Sequence, residues 1–182
     1  MKENIWIFGL LLLIVAFFFD GEILKFMYII RLDFLINFIN FISYFWVVVF
    51  ILVMYIILLK DEKKIMLFGL IVVSTYILTI LIKMMVMRER PENALVLEPD
   101  YSFPSSHAAV MFSTIALMNK EFPKLKWGFL GIALLVTFSR VYLGVHYTSD
   151  LIFGALLGYG VSRIFMYKNA IFNKIKVFLS VK

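Results

Sequence analysis

The sequence predicts an all-α protein that crosses a membrane repeatedly, a bundle of six transmembrane helices making one domain over residues 1–182. Three observations predict it. Of the 182 residues, 63% are hydrophobic, against roughly 45–50% in soluble domains, and mean hydropathy is +0.97. The apolar residues fall in runs near the roughly 20 residues that a spanning helix needs. Short charged or Pro-containing stretches separate those runs and leave almost nothing for a water-soluble domain.

Residues 5–19 form the first run. It resembles a signal-peptide core in length, but no small-residue cleavage pattern follows Phe19, so it is expected as a retained first helix. Asp20, Gly21 and Glu22 are expected to break it. Residues 23–32, with Lys25 and Arg31, then read either as an interfacial segment or as the slanted start of the second helix. Residues 33–59 give a long second span, closed by the charged turn Lys60-Asp61-Glu62-Lys63-Lys64. The third helix is expected over 65–87. Residues 88–103 carry Pro91, Pro99 and several acids and end against Pro104, so they form the longest loop. Ser105 and Ser106 are N-cap residue types for a fourth helix over 105–118. The fifth and sixth helices follow over 125–143 and 149–166.

The formal net charge of +6 does not indicate nucleic acid, because the lysines sit in short loops and near the C-terminus of an apolar chain. Eleven of them fall on one side of a six-helix bundle, the side with both termini. The positive-inside rule makes the other side extracytoplasmic, which places the protein in the cell membrane. The chain has no cysteine, which excludes disulfides, thiolate metal sites and a thiol nucleophile.

Ionisable groups at membrane depth are costly, so those present are functional candidates. Lys83 and Arg90 flank the end of the third helix, and His107 lies in the first turn of the fourth. Arg140 ends the fifth, and His146 and Asp150 begin the sixth. In an up-and-down bundle these ends share one side. Clustered cations suit a phosphate group, with arginine engaging two oxygens at once, and the N-terminus of the fourth helix adds backbone donors. His146 and Asp150, four apart, would be neighbours on one helix face. A carboxylate on one ring nitrogen leaves the other free to attack, so His146 is the candidate nucleophile and His107 the candidate general acid.

These residues resemble the type 2 phosphatidic acid phosphatase superfamily. Its KxxxxxxRP block corresponds to Lys83 through Arg90-Pro91. Its PSGH block resembles Pro104-Ser105-Ser106-His107, and its SRxxxxxHxxxD block resembles Ser139-Arg140 through His146 to Asp150. Three blocks in order are specific where one would be weak. The resemblance implies a phosphohistidine on His146, orientation by Asp150, protonation of the leaving group by His107, and phosphate binding by Lys83, Arg90, Ser105, Ser106 and Arg140. It implies a lipid phosphate substrate, by analogy of size a polyprenyl diphosphate, with no cofactor or metal. Phosphatidate, phosphatidylglycerol phosphate and lipid A phosphatases, lipid phosphotransferases, and a non-catalytic lipid-phosphate binder or transporter are the alternatives. Ser106 replaces the family's glycine, and a positive φ there would strain it.

Other charges carry blander expectations. Arg88 reads as a snorkelling residue at a helix end, Glu92, Glu98 and Asp100 as solvated loop acids, and Asp33 and Arg163 as structural or interfacial.

Overall fold

A computed structural model of the chain describes residues 4–180, which form seven α-helices and one 3-10 turn, with no strand among them. In order these are α1 (Asn4–Ile29), α2 (Asp33–Ser43), α3 (Phe45–Leu59), α4 (Glu62–Val86), α5 (Ser106–Glu121), the turn Pro123–Leu125, α6 (Lys126–Tyr142) and α7 (Thr148–Ser180).

The first helix runs unbroken through Asp20-Gly21-Glu22, contrary to the break expected there. Each of the three finds a way to stay helical. Asp20 turns inward and is bonded by Ser149 and Arg88, Glu22 pairs with Lys25 on the surface at 3.0 Å, and a single helical glycine costs only about 1 kcal/mol. Residues 23–29 therefore finish α1 and are neither an interfacial segment nor part of the second span. The link to α2 is fastened by Arg31 Nε donating to Tyr142 O at 2.9 Å and by Leu32 N–H donating to the Tyr142 hydroxyl at 2.8 Å.

The expected second span is instead two helices, α2 and α3, meeting at 54° around Tyr44, whose backbone is extended at φ −63°, ψ 138°. By length and composition, four helical stretches can cross a membrane: Trp6–Ile29, Glu62–Val86, Pro123–Tyr142 and Thr148–Lys168. The bent pair makes a fifth. The 16-residue α5 falls short of the usual span length.

α5 is central. It packs against α4, α6 and most extensively α7, and Ala108, Ala109, Met111 and Met118 have no exposed surface. A helix enclosed by protein needs no lipid-facing stripe, so it can carry Ser113 and Thr114, whose hydroxyls donate to carbonyls three residues back. The outer helices turn large apolar side chains outward, with Phe18 and Met85 each 82% exposed. In water that surface would be prohibitive; in a bilayer it is the solvent-matched face. The chain is an integral membrane protein.

Candidate active site

Lys83 lies in the last turn of α4, which stops at Met87 in the left-handed region at φ 51°. The loop that follows returns over the bundle end and is tied back by Ser102 N–H donating to Arg88 O at 2.8 Å and Leu95 N–H donating to Leu143 O at 3.0 Å. It delivers the chain to the N-terminus of α5. Arg140 ends α6, and a five-residue turn containing Gly144 at φ +71° leads to α7.

The result is a cleft of about 280 Å³ lined by Lys83, Arg90, Ser106, His107, Arg140 and His146, with Ser43, Glu98 and Asp100 among its other walls. Six of the eight expected site residues thus converge from five elements: α4, the loop after it, α5, α6 and the turn before α7. Asp150 stands behind His146, fully buried. Ser105 is the exception. Its hydroxyl caps α5 by accepting from Ala108 N–H at 3.4 Å, its own N–H donates to Asp150 O at 3.1 Å, and it has no exposed surface. Ser106 is an ordinary first helical residue with no positive φ, so the strain considered for it does not arise.

His146 sits in the turn before α7 rather than on it. Its closeness to Asp150 comes from the turn. Asp150, the third residue of α7, accepts from Tyr147 N–H at 2.9 Å, the reach-back half of a capping box. The same oxygen, Oδ2, lies 3.4 Å from His146 Nδ1, which has no hydrogen-bond partner among the described residues. Arg90 Nη1 lies 3.2 Å from His146 Nε2 and donates to Val145 O at 2.7 Å. A guanidinium only donates, so Nε2 presents its lone pair and the proton belongs on Nδ1, facing Asp150.

Two acids expected to be solvated close the cleft's charge balance instead. Lys83 Nζ lies 3.0 Å from Asp100 Oδ2. Arg90 pairs with Asp100 and, at 3.8 Å, with Glu98. Arg140, 2% exposed, pairs with Glu98 at 2.5 Å and also donates to Ser43. These carboxylates sit where anionic oxygens are called for by the three cations. Partial burial would raise the Asp100 pKa, but hydrogen bonds from Arg90 and Lys83 outweigh it and hold the carboxyl below its usual range. Burial, then the positive charges of Arg140, Arg90 and Lys83, push His146 well below its ordinary value of about 6.5.

Residues 64–173 match the profile of the PAP2 superfamily. The chain belongs to that superfamily. Within it, the chain is 35% identical over 133 residues to an undecaprenyl-diphosphatase of Sulfolobus acidocaldarius, 66% of this chain and 61% of that protein. It is 43% identical over 83 residues to phosphatidylglycerophosphatase B of Bacillus subtilis, covering 39% of this chain and 41% of that protein. The matches thus span less than two thirds of these curated relatives' lengths. The crystal structure of a transmembrane PAP2 type phosphatidylglycerolphosphate phosphatase from Bacillus subtilis superposes with a TM-score of 0.73 at 25% identity, covering 92% of this chain and 94% of that one. For a PAP2 member, the eight expected residues are the natural ones to test.

Sequence reading missed several residues at this site. Arg88 does not snorkel; it bonds Asp150 and Asp20. Ser43, at the α2–α3 bend, meets Arg140. A polar residue in an apolar run was the available signal for Ser43, and an acid at membrane depth was the signal for Asp20.

Proposed function

We propose that this PAP2 protein is a metal-independent membrane lipid phosphatase that hydrolyses a polyprenyl diphosphate or a related lipid phosphate through a phosphohistidine on His146. The observation that carries this reading is the junction of two spaces. The polar cleft shares Phe45, Tyr76, Ser106 and His107 with an apolar groove of about 270 Å³ between α3, α4 and α5, lined otherwise by Val48, Val49, Leu52, Val72, Val73 and Val110. A phosphate in one and a hydrocarbon tail in the other describe an amphiphile held at one end of the bundle.

The chemistry follows from the side chains. Lys83, Arg90 and Arg140 exchange the carboxylates of Glu98 and Asp100 for phosphate oxygens and offset the charge that spreads over them in transfer. Ser106 supplies a donor at the start of α5. The His146 Nε2 lone pair attacks phosphorus, the bond to the leaving oxygen breaks, and His107 gives that oxygen its proton. The imidazolium shares its Nδ1 proton with Asp150. Water, deprotonated by His107, then breaks the N–P bond and releases phosphate. Counting the bent pair as one crossing and the short, enclosed α5 as another gives six in this reading, with the cleft at the extracytoplasmic face; the lysine distribution supports it.

The test is phosphate release in detergent from undecaprenyl diphosphate, phosphatidylglycerol phosphate and phosphatidate, with and without chelator. Turnover that persists in chelator and is blocked by vanadate, a five-coordinate phosphorus mimic, is expected. No turnover on any of the three, or turnover restored only by a divalent ion, overturns the reading. Phosphatidylglycerol phosphate is included because of the structural likeness to a phosphatase of that lipid.

A depressed His146 pKa also has a direct readout. The neutral imidazole persists above its folded pKa and is lost only as pH falls through it, so His146 is expected to stay neutral as pH drops past 6.5. The chain has only two histidines, so ring ¹⁵N shifts of the labelled protein can be assigned by comparison with His107→Gln. A midpoint near 6.5 for His146 contradicts the prediction. The linked effect on stability has the same sign. Below about pH 6.5 the unfolded chain takes up a proton that the buried ring refuses, so stability is lost as pH falls.

A further inference from the structure

Asp20 stands outside the three motif blocks and Arg88 fills an unspecified position of the first, yet they join the His146–Asp150 pair from behind. Arg88 Nη1 donates to Asp150 Oδ1 at 2.7 Å and to the Ser149 hydroxyl at 2.7 Å, and its Nη2 donates to Asp20 Oδ2 at 2.9 Å. Asp20 reaches across from α1 to accept Ser149 N–H at 2.9 Å on Oδ1 and the Ser149 hydroxyl on Oδ2. The guanidinium lies 3.9 Å from the centroid of the Tyr147 ring and 5.4 Å from that of Phe17. Asp20 is 4% exposed and Asp150 fully buried.

Such an arrangement is costly unless it does something. A bare ion pair would need one carboxylate per guanidinium, whereas here one Arg88 serves two buried acids, leaving the trio with a net negative charge in a place of low dielectric. Buried charges are retained where they are paired or matched to charge that appears in function. One oxygen of the trio, Asp150 Oδ2, faces the Nδ1 of His146 at 3.4 Å, the ring that becomes cationic when Nε2 is phosphorylated. We propose that Asp20 and Arg88 are positioning residues that fix the Asp150 carboxylate and, through it, the His146 ring. The proposal rests on His146 being the nucleophile.

The geometry divides the work between them. Arg88 occupies Oδ1 of Asp150 and the Tyr147 N–H occupies Oδ2, so the carboxylate cannot rotate away from the imidazole. Asp20 holds Arg88 from the other side and also accepts a free N–H in the first turn of α7, a cap supplied by a different helix. The first helix thereby reads out at the catalytic pair without touching substrate.

The experiment uses full-length protein in detergent and a lipid phosphate that the native protein hydrolyses. Arg88→Gln is expected to lower kcat about 10- to 100-fold with KM near the native value, the size typical for losing an outer hydrogen-bond partner of a working histidine. Arg88→Lys should recover part of the loss. Asp20→Asn should lose kcat in the same way. The deciding readout is coupling. In the Asp150→Asn background, Arg88→Gln and Asp20→Asn should each cost little more, because the group they position is already gone. Native kcat in Arg88→Gln, or losses that multiply in the double variants, overturn the proposal. If Arg88→Gln does not fold, Asp20→Asn with its Asp150→Asn double decides the question alone. Absence of turnover by the native protein would instead sink the proposed function, so the two failures are separable.

Discussion

Replacing His146 with alanine is expected to abolish phosphate release, a loss of about 10⁴-fold or more, the scale seen when a nucleophile is removed from a group that acts as a unit. The expectation rests on the ring's setting. It is 1% exposed, its Nε2 lone pair faces the Arg90 guanidinium that would hold phosphate, and its pKa keeps it uncharged. No other described side chain in the cleft combines those features. His107, the one other imidazole, lies at the start of α5 beside the mouth of the apolar groove, where a leaving lipid oxygen would stand. The measurement is rapid acid-free quenching with labelled substrate. Native protein should yield an acid-labile, base-stable phosphoprotein, as expected of an N–P bond, and His146→Ala none. A labelled His146→Ala protein would move the nucleophile elsewhere. An unchanged melting temperature separates lost chemistry from lost fold.

The sequence made this residue legible because a membrane raises the contrast. Charged and hydrogen-bonding groups are rare at depth, so Lys83, His107, Arg140, His146 and Asp150 stand out against apolar runs. The same reasoning, applied evenly, would have singled out Asp20. With Gly21 and Glu22 it reads locally as a helix break, and helix continuity depends on a partner 129 residues away, Ser149, which no local pattern reveals. Arg88 is the same case. One more cation at a helix end looks like a snorkelling anchor until its two acids are known. The bend at Tyr44 has no Pro or Gly to announce it, and Ser43 beside it bonds Arg140 from α6. Glu98 and Asp100 belong to a loop with few local constraints. Their pairing with Lys83, Arg90 and Arg140 depends on where the loop lands. The individual charges were legible where depth alone marked them. Which charge meets which was not.

Gly154 and Gly158 form a small-xxx-small repeat of the kind that lets membrane helices approach closely. A Cβ on Gly158 would lie 1.9 Å from Ala109 O, and one on Gly154 would lie 2.7 Å from Ser105 O. These are backbone atoms of α5 and its N-cap, so they cannot swing aside. Gly158→Val is therefore expected to push α7 from α5 at a cost of about 3 kcal/mol or more, the upper end for overpacking, and to lower the melting temperature in detergent. The site should fail with it. The same interface carries the Ser105 N–H bond to Asp150 O, and it sets α5, with His107, against the helix that His146 precedes. Gly69→Ala is the control, since a Cβ on Gly69 in α4 meets nothing within 4 Å and alanine favours a helix by about 1 kcal/mol. That variant should keep its activity and match or exceed the native melting temperature. If Gly158→Val instead melts with native protein, α5 and α7 can separate without loss, and the rigid seam that brings the converging segments together must be sought in α6.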